Sequence, residues 1–222
     1  MIEQCLCKRP QRMAAMTFSI IAVDPRTGAC GSAVASFSLA VGGTVSYSRI
    51  GVGVVNTQHY AHLALGQQVL DEMDAGRAPE EALAGVLRDD PEADSRQLIA
   101  IDARGRMGGW TGGDCAAANA HVFGSGCAAA GNYLATEKVV ERMVEVFEQS
   151  AGESLSDRLL QALLAGELEG GDRRGRKAAA LRVIPPKGAD VAINVDLRVD
   201  AHEDPLGELS RLRELFKTEF RT

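Results

Sequence analysis

A threonine at the head of a chain can supply nucleophile and base together. Its free α-amine, with a pKa of about 7.7–8.0, accepts the hydroxyl proton near neutral pH. Thr17 has this capacity only if residues 1–16 are absent. Met16 followed by a small residue is the pattern from which an initiator methionine is trimmed, so residues 1–16 read as an unstructured or non-native extension and 17–222 as a single domain. The alternative is an ordinary strand threonine. Acyl transfer also needs donors where the carbonyl oxygen gains charge. Asn132, after Gly131, is the side-chain candidate, and a simple Gly-Asn turn is its rival. Ser36 and Gln58 end β segments and are candidates to orient a polar substrate, with surface hydrogen bonding as the alternative. Asp172 and Arg174 are placed to fix a pocket loop, with Arg174 offering charge to an acidic substrate group, or to pair in solvent at little gain. Thr17, Asn132 and Arg174 are expected to meet at one pocket.

Other reactive residue types point elsewhere. Asp24, seven residues beyond Thr17, falls on the opposite strand face and reads as a turn residue. His59 and His62 have the spacing of a shared helical face, but no carboxylate or cysteine completes a metal set, so a helix start with two partly exposed histidines is the better reading. No metal or organic cofactor is expected. The Gly-rich pieces TGG, GSG and GGDRRG lack the lysine and spacing of a phosphate loop.

These residues must be positioned by a chain of 222 residues, 45% hydrophobic, with 24 glycines and 5% aromatics. That composition suits one globular domain with a core of Ala, Val, Leu and Ile. A net charge of −6 gives no long-range attraction for nucleic acid or anionic lipid, although Arg173, Arg174, Arg176 and Lys177 form a local basic run. No stretch approaches a membrane span and the N-terminus lacks an apolar secretory segment. The five dispersed cysteines fit reduced thiols, with Cys30, Cys115 and Cys127 as small buried hydrophobes. The expected protein is cytoplasmic, binds neither nucleic acid nor membrane, and has room to form a homodimer or higher homo-oligomer.

A β-rich run and turn chemistry predict a hairpin from TFSIIAVD and GSAVASFS around Asp24–Gly28, and a β region is expected in TVSYSRIGVGVVNTQ. Helices follow from Tyr60 to about Ala75 and from Pro79. RQLIAID and RMGGWTG flank Asp102–Gly105 as a second hairpin, and AHVFGSGCAAAGNYL reads as one small-residue strand entering a loop. Thr136 is expected to cap one helix and Ser154 another. The last strands are AAALRVIPP and DVAINVDLRVD, and Asp204 with Pro205 opens a final helix. This order suits helical layers over two packed antiparallel sheets better than a parallel βαβ fold.

The blocks TFSIIAVD, AVASFSLAVGGTV, GVGVVNTQ, GGWTG, GNYLA and GGDRRGRKAAAL, in that order, resemble a bacterial family known as domain of unknown function 1028, from about Thr17 to the C-terminal helix. Where the family motif ends RQSAALLV this chain has RKAAALRV, so Lys177 and Ala178 replace Gln and Ser. The family is grouped with the N-terminal-nucleophile (Ntn) hydrolases. The resemblance thus implies an α+β fold, a four-layer αββα sandwich of two antiparallel sheets flanked by helices. It implies an amidohydrolase acting through Thr17 on a small polar or acidic amide-containing substrate. A non-catalytic small-molecule-binding or assembly protein that keeps the fold is the alternative.

Overall fold

The computed structural model describes residues 17–60, 62–189 and 194–220. The expectations for residues 1–16, and for the start of the DVAINVDLRVD strand, lie outside the described residues. The chain forms two antiparallel sheets. Strands β1 (Thr17–Val23), β2 (Cys30–Ser36), β7 (Ala120–Gly124), β8 (Cys127–Asn132), β9 (Ala178–Ile184) and β10 (Val195–Val199) make a six-stranded sheet ordered β10-β9-β2-β1-β8-β7. Strands β3 (Ser46–Arg49), β4 (Gly53–His59), β5 (Arg96–Asp102) and β6 (Met107–Thr111) make the second, in sequence order.

Helices α1 (Leu63–Asp74) and α2 (Pro79–Arg88) cover the outer face of the four-stranded sheet; α3 (Lys138–Gln149), α4 (Leu155–Leu168) and α5 (Pro205–Phe220) cover the other. The result is the expected αββα sandwich, an α+β fold. Alternation explains the layering. In β1, Phe18, Ile20 and Ala22 face the α3–α4 side with Val140, Met143 and Leu163, whereas Ile21 and Val23 face Val54, Ile99 and Ile101 of the other sheet. On the far side Val55, Leu98 and Ala100 meet Leu65, Val69, Leu70 and Leu83 of α1 and α2. Each such aliphatic contributes about 1.5–3 kcal/mol by burial.

Local chemistry sets the element ends. Asp24 makes the first turn, its N–H donating to Ala29 O and its carboxylate accepting the Arg26 N–H at 2.9 Å. Ser154 caps α4 by accepting from Asp157 N. Four expectations need correction. AHVFGSGCAAAGNYL is a hairpin, β7 and β8, turning where Gly126 takes φ +71°. The first helix begins at Leu63, with the His62 ring accepting from Ala64 N. The Thr136 carbonyl instead accepts Val139 N, so α3 starts from Glu137 with no side-chain cap. His59 is not helical at all: it ends β4 and is buried.

Candidate functional site

The space between the sheets is divided. One end is aliphatic, around Ile21, Val54, Ile99, Ile101 and Ile184. The other is polar, because inward positions at the head of β1, the ends of β2, β4 and β8 and the start of β5 carry Thr17, Ser19, Ser36, Gln58, Asn132 and Gln97, all 0% exposed.

Antiparallel register brings these residues together. Thr17 pairs with Ser36 on one side and with Asn132 on the other. Its hydroxyl donates to Ser36 Oγ at 3.2 Å, which also accepts Ser38 N–H at 3.0 Å. Across the sandwich Ser19 Oγ donates to Gln58 Oε1 (2.8 Å), and Gln58 Nε2 donates to Gln97 Oε1 (2.8 Å). Asn132 Nδ2 donates to the same Gln97 oxygen at 3.0 Å. The amide orientations follow from the backbone. Gln97 Nε2 faces the carbonyls of Gly131 (3.0 Å) and Ala120 (3.2 Å), which only accept, so its oxygen must receive both neighbours. Asn132 Oδ1 is left buried without a partner among the described residues.

Three of these groups were not foreseen from sequence. Ser19 and Gln97 sit in runs that read as plain strands, and only their inward parity distinguishes them. Thr111 accepts from Gln97 Nε2 at 3.1 Å and contacts His121 Nδ1 at 2.9 Å.

The rim is held in unusual backbone. His59 and Tyr133, directly after Gln58 and Asn132, take φ of +67° and +54°, and their rings stack with centroids 6.2 Å apart. The His59 ring contacts Ser95 O through Nδ1 (2.9 Å) and accepts Ala116 N–H through Nε2 (3.4 Å). That pair of bonds fits the neutral ring, and burial, aided by the Arg96 charge, lowers its pKa. Beside it Arg96, 1% exposed, is bound by Asp90 at 2.8 Å and Glu92 at 2.7 Å and anchors the start of β5.

The loop after α4 closes this end. Gly170 and Gly171, at φ +115° and +48°, permit the turn that carries it there. Arg173 N donates to Tyr133 O and Lys177 N to Ser36 O, so the loop is stitched to the ends of both strands that flank β1. Asp172 is 5% exposed; burial raises its pKa, opposed by the backbone amides of Arg174 and Phe37 and by the Arg174 charge. The Arg174 guanidinium lies 3.7 Å from Asp172 Oδ1, and 4.7 and 5.5 Å from the ring centres of Phe37 and Tyr133. The pair is therefore lodged among aromatic rings and is not a solvent pair.

Thr17, Ser36 and Asn132 thus occupy one rung, Gln58 faces them from the opposite sheet, and Asp172 and Arg174 lie on the loop over the head of β1. His62 stands apart as a cap, and no group of three or more His, Cys, Asp or Glu with metal-site geometry occurs among the described residues. No helix among them is long and apolar enough to cross a membrane.

The profile of a family of unknown function, DUF1028, matches residues 17–209. The chain belongs to that family. Among solved structures, protein SPO2555 of Silicibacter pomeroyi, also assigned to DUF1028, is 34% identical, with a TM-score of 0.83 over 91% of this chain and 89% of that one. Anbu, an ancestral beta-subunit from Yersinia bercovieri, aligns over 92% of this chain and 97% of its own at 10% identity and a TM-score of 0.41, a likeness too slight to support an argument. No curated protein matches.

Proposed function

We propose that this DUF1028 protein is an amide-bond hydrolase of the N-terminal-nucleophile type, active once Thr17 is the first residue. The reading is carried by one observation: Thr17 heads the central strand at the polar end of the sandwich, between Ser36 and Asn132 on the same rung. The family profile also begins at Thr17. In the proposed reaction the free α-amine takes the Thr17 hydroxyl proton and Oγ1 attacks the amide carbonyl. The remaining N–H of the Asn132 amide, with backbone N–H groups nearby, stabilises the oxyanion. The amine then protonates the leaving nitrogen, and water resolves the acyl-enzyme. The substrate is a small polar or acidic amide, and no metal or organic cofactor takes part. The free, buried thiols of Cys30, Cys115 and Cys127 support a reducing compartment, the cytoplasm.

One observation favours a second reading, a non-catalytic binding or assembly protein: Thr17, Ser36 and Asn132 are 0% exposed, and the Asn132 amide already donates to Gln97. The two are separated by placing a specific protease site immediately before Thr17, folding the full chain, then cleaving. The cleaved protein should take a single acyl adduct from a β-lactone, mapped by mass spectrometry to Thr17, and should hydrolyse members of a panel of N-acyl amino acids and amides. Uncut protein and cleaved Thr17→Ala should do neither. A cleaved, folded protein that neither labels nor turns over any amide gives preference to the binding reading.

A further inference from the structure

We infer that Arg174 and its surroundings form a recognition site for a planar carboxylate, so that the substrate class is an amide carrying a free carboxylate close to the scissile bond, as in N-acyl amino acids. The inference rests on the hydrolase reading for the word substrate, but its binding component stands on the loop alone. The position of Arg174 comes first. Phe37 follows Ser36, Tyr133 follows Asn132, and those two residues are the partners of Thr17 on either side. A guanidinium within 4.7 Å of one ring centre and 5.5 Å of the other bridges the gap over the head of β1. A ligand carboxylate held there would lie beyond the end of the rung that carries Thr17.

The chemistry of the gap is incomplete in a way that calls for an acceptor. Among the described residues, Arg174 Nε and Nη2 and Asp172 Oδ2 are buried and have no hydrogen-bond partner. At 3.7 Å the Asp172 carboxylate neutralises part of the Arg174 charge without accepting a hydrogen bond from it. Asp172 Oδ1 accepts the Arg174 backbone N–H at 2.9 Å, which holds the carboxylate beside the guanidinium. The Arg174 side chain as a whole is 29% exposed and so borders solvent, although Nε and Nη2 are themselves buried.

Lys177 adds a second cation, its Nζ 4.0 Å from the Phe37 ring centre. A guanidinium set against two rings presents a planar fork, which matches a flat, bidentate acceptor better than a tetrahedral phosphate. In a chain of net charge −6, this concentration of cationic side chains is local.

The test is binding by calorimetry to the protein folded as a full chain and cleaved before Thr17, with Thr17→Ala present so that nothing is consumed. N-acetylglycine, N-acetylglycinamide and inorganic phosphate are the probes. The carboxylate should bind at least tenfold more tightly than the amide or phosphate; Arg174→Ala should erase the preference and Arg174→Lys should restore only part of it. Equal binding of carboxylate and amide, no binding of the carboxylate, competition by phosphate at equal strength, or a preference that survives Arg174→Ala each overturns the inference. The two readings fail separately. Turnover of neutral amides as fast as acidic ones leaves the hydrolase and removes the carboxylate site, whereas Arg174-dependent carboxylate binding with no turnover by the Thr17 protein does the reverse.

Discussion

Gln97→Leu is the most severe single test of the buried polar layer. The substitution removes one side chain that receives Gln58 Nε2 at 2.8 Å and Asn132 Nδ2 at 3.0 Å, both in residues 0% exposed. Leucine matches glutamine in bulk, so the change isolates lost hydrogen bonding from lost volume. Each buried donor left without a partner costs about 1–3 kcal/mol, giving about 2–6 kcal/mol for the two. For a chain of this size that corresponds to a fall in melting temperature of roughly 4–24 °C. Against a typical total stability of about 5–15 kcal/mol, the upper end would leave the protein barely folded. Ser48→Ala is the internal control. The Ser48 hydroxyl is already buried without a partner among the described residues, so its removal should change stability by no more than about 0.5 kcal/mol. Urea unfolding of parent and both variants, followed by far-UV dichroism and fluorescence, reads the difference. A Gln97→Leu loss below about 1 kcal/mol would mean that water or rearranged amides replace Gln97 readily, and the argument that it fixes the orientation of Asn132 would fall with it.

Two further predictions concern protons and thiols. Burial lowers the pKa of both His59 and His121 below 6.5, so the unfolded chain binds protons first as the solution is acidified. Stability present above pH 6.5 should therefore fall as the pH drops toward the lowered folded values, and His121→Gln should flatten that slope; a melting temperature unchanged between about pH 7 and 5 would refute it. Burial also pushes the thiols of Cys30 and Cys115 up to about 11 and that of Cys127 to about 12. With Cys5 and Cys7 changed to serine, N-ethylmaleimide at pH 8 should modify the native protein only on the unfolding timescale, and rapid labelling without denaturant would contradict the burial.

The layering was legible because it is written in period. The β-rich apolar run in TFSIIAVD and the 3,4 spacing of Val139, Val140, Met143 and Phe147 identify core elements without knowledge of neighbours. The β7–β8 hairpin was not, because its second strand, CAAAGN, is built of residues with little preference for strands and is held by β1 on one side and β7 on the other. The site was legible only in part, for a related reason. Thr17 and Asn132 could be named by chemistry, but Gln97 gains its role from the register Gln58↔Gln97 and from two carbonyls on the opposite sheet. Nothing in RQLIAID separates that glutamine from a solvent-facing one. His59 failed in the opposite direction: its spacing to His62 suggested a helix, while its conformation is set by where β4 must end.

The distribution of local violations is itself informative. At the aliphatic end of the sandwich, residues such as Ile21, Ile99 and Ile101 satisfy every ordinary preference for a strand core. At the polar end, the same strands terminate in non-glycine residues at positive φ, His59 and Tyr133, at a cost of about 1–2 kcal/mol each. They also leave Asn132 Oδ1, Asp172 Oδ2 and two Arg174 nitrogens buried without partners among the described residues. A fold selected for stability alone would replace these groups by apolar side chains of similar size, as it has done at the other end. Other unsatisfied groups lie elsewhere, on Ser48, Glu72 and Arg213 among them, but those near the head of β1 are of complementary kinds: acceptors on Asn132 and Asp172, donors on Arg174. A ligand with an amide N–H, a carbonyl and a carboxylate can engage both kinds, which is why this pairing of donors and acceptors beside Thr17 makes that end of the sandwich the place to test the proposed hydrolase.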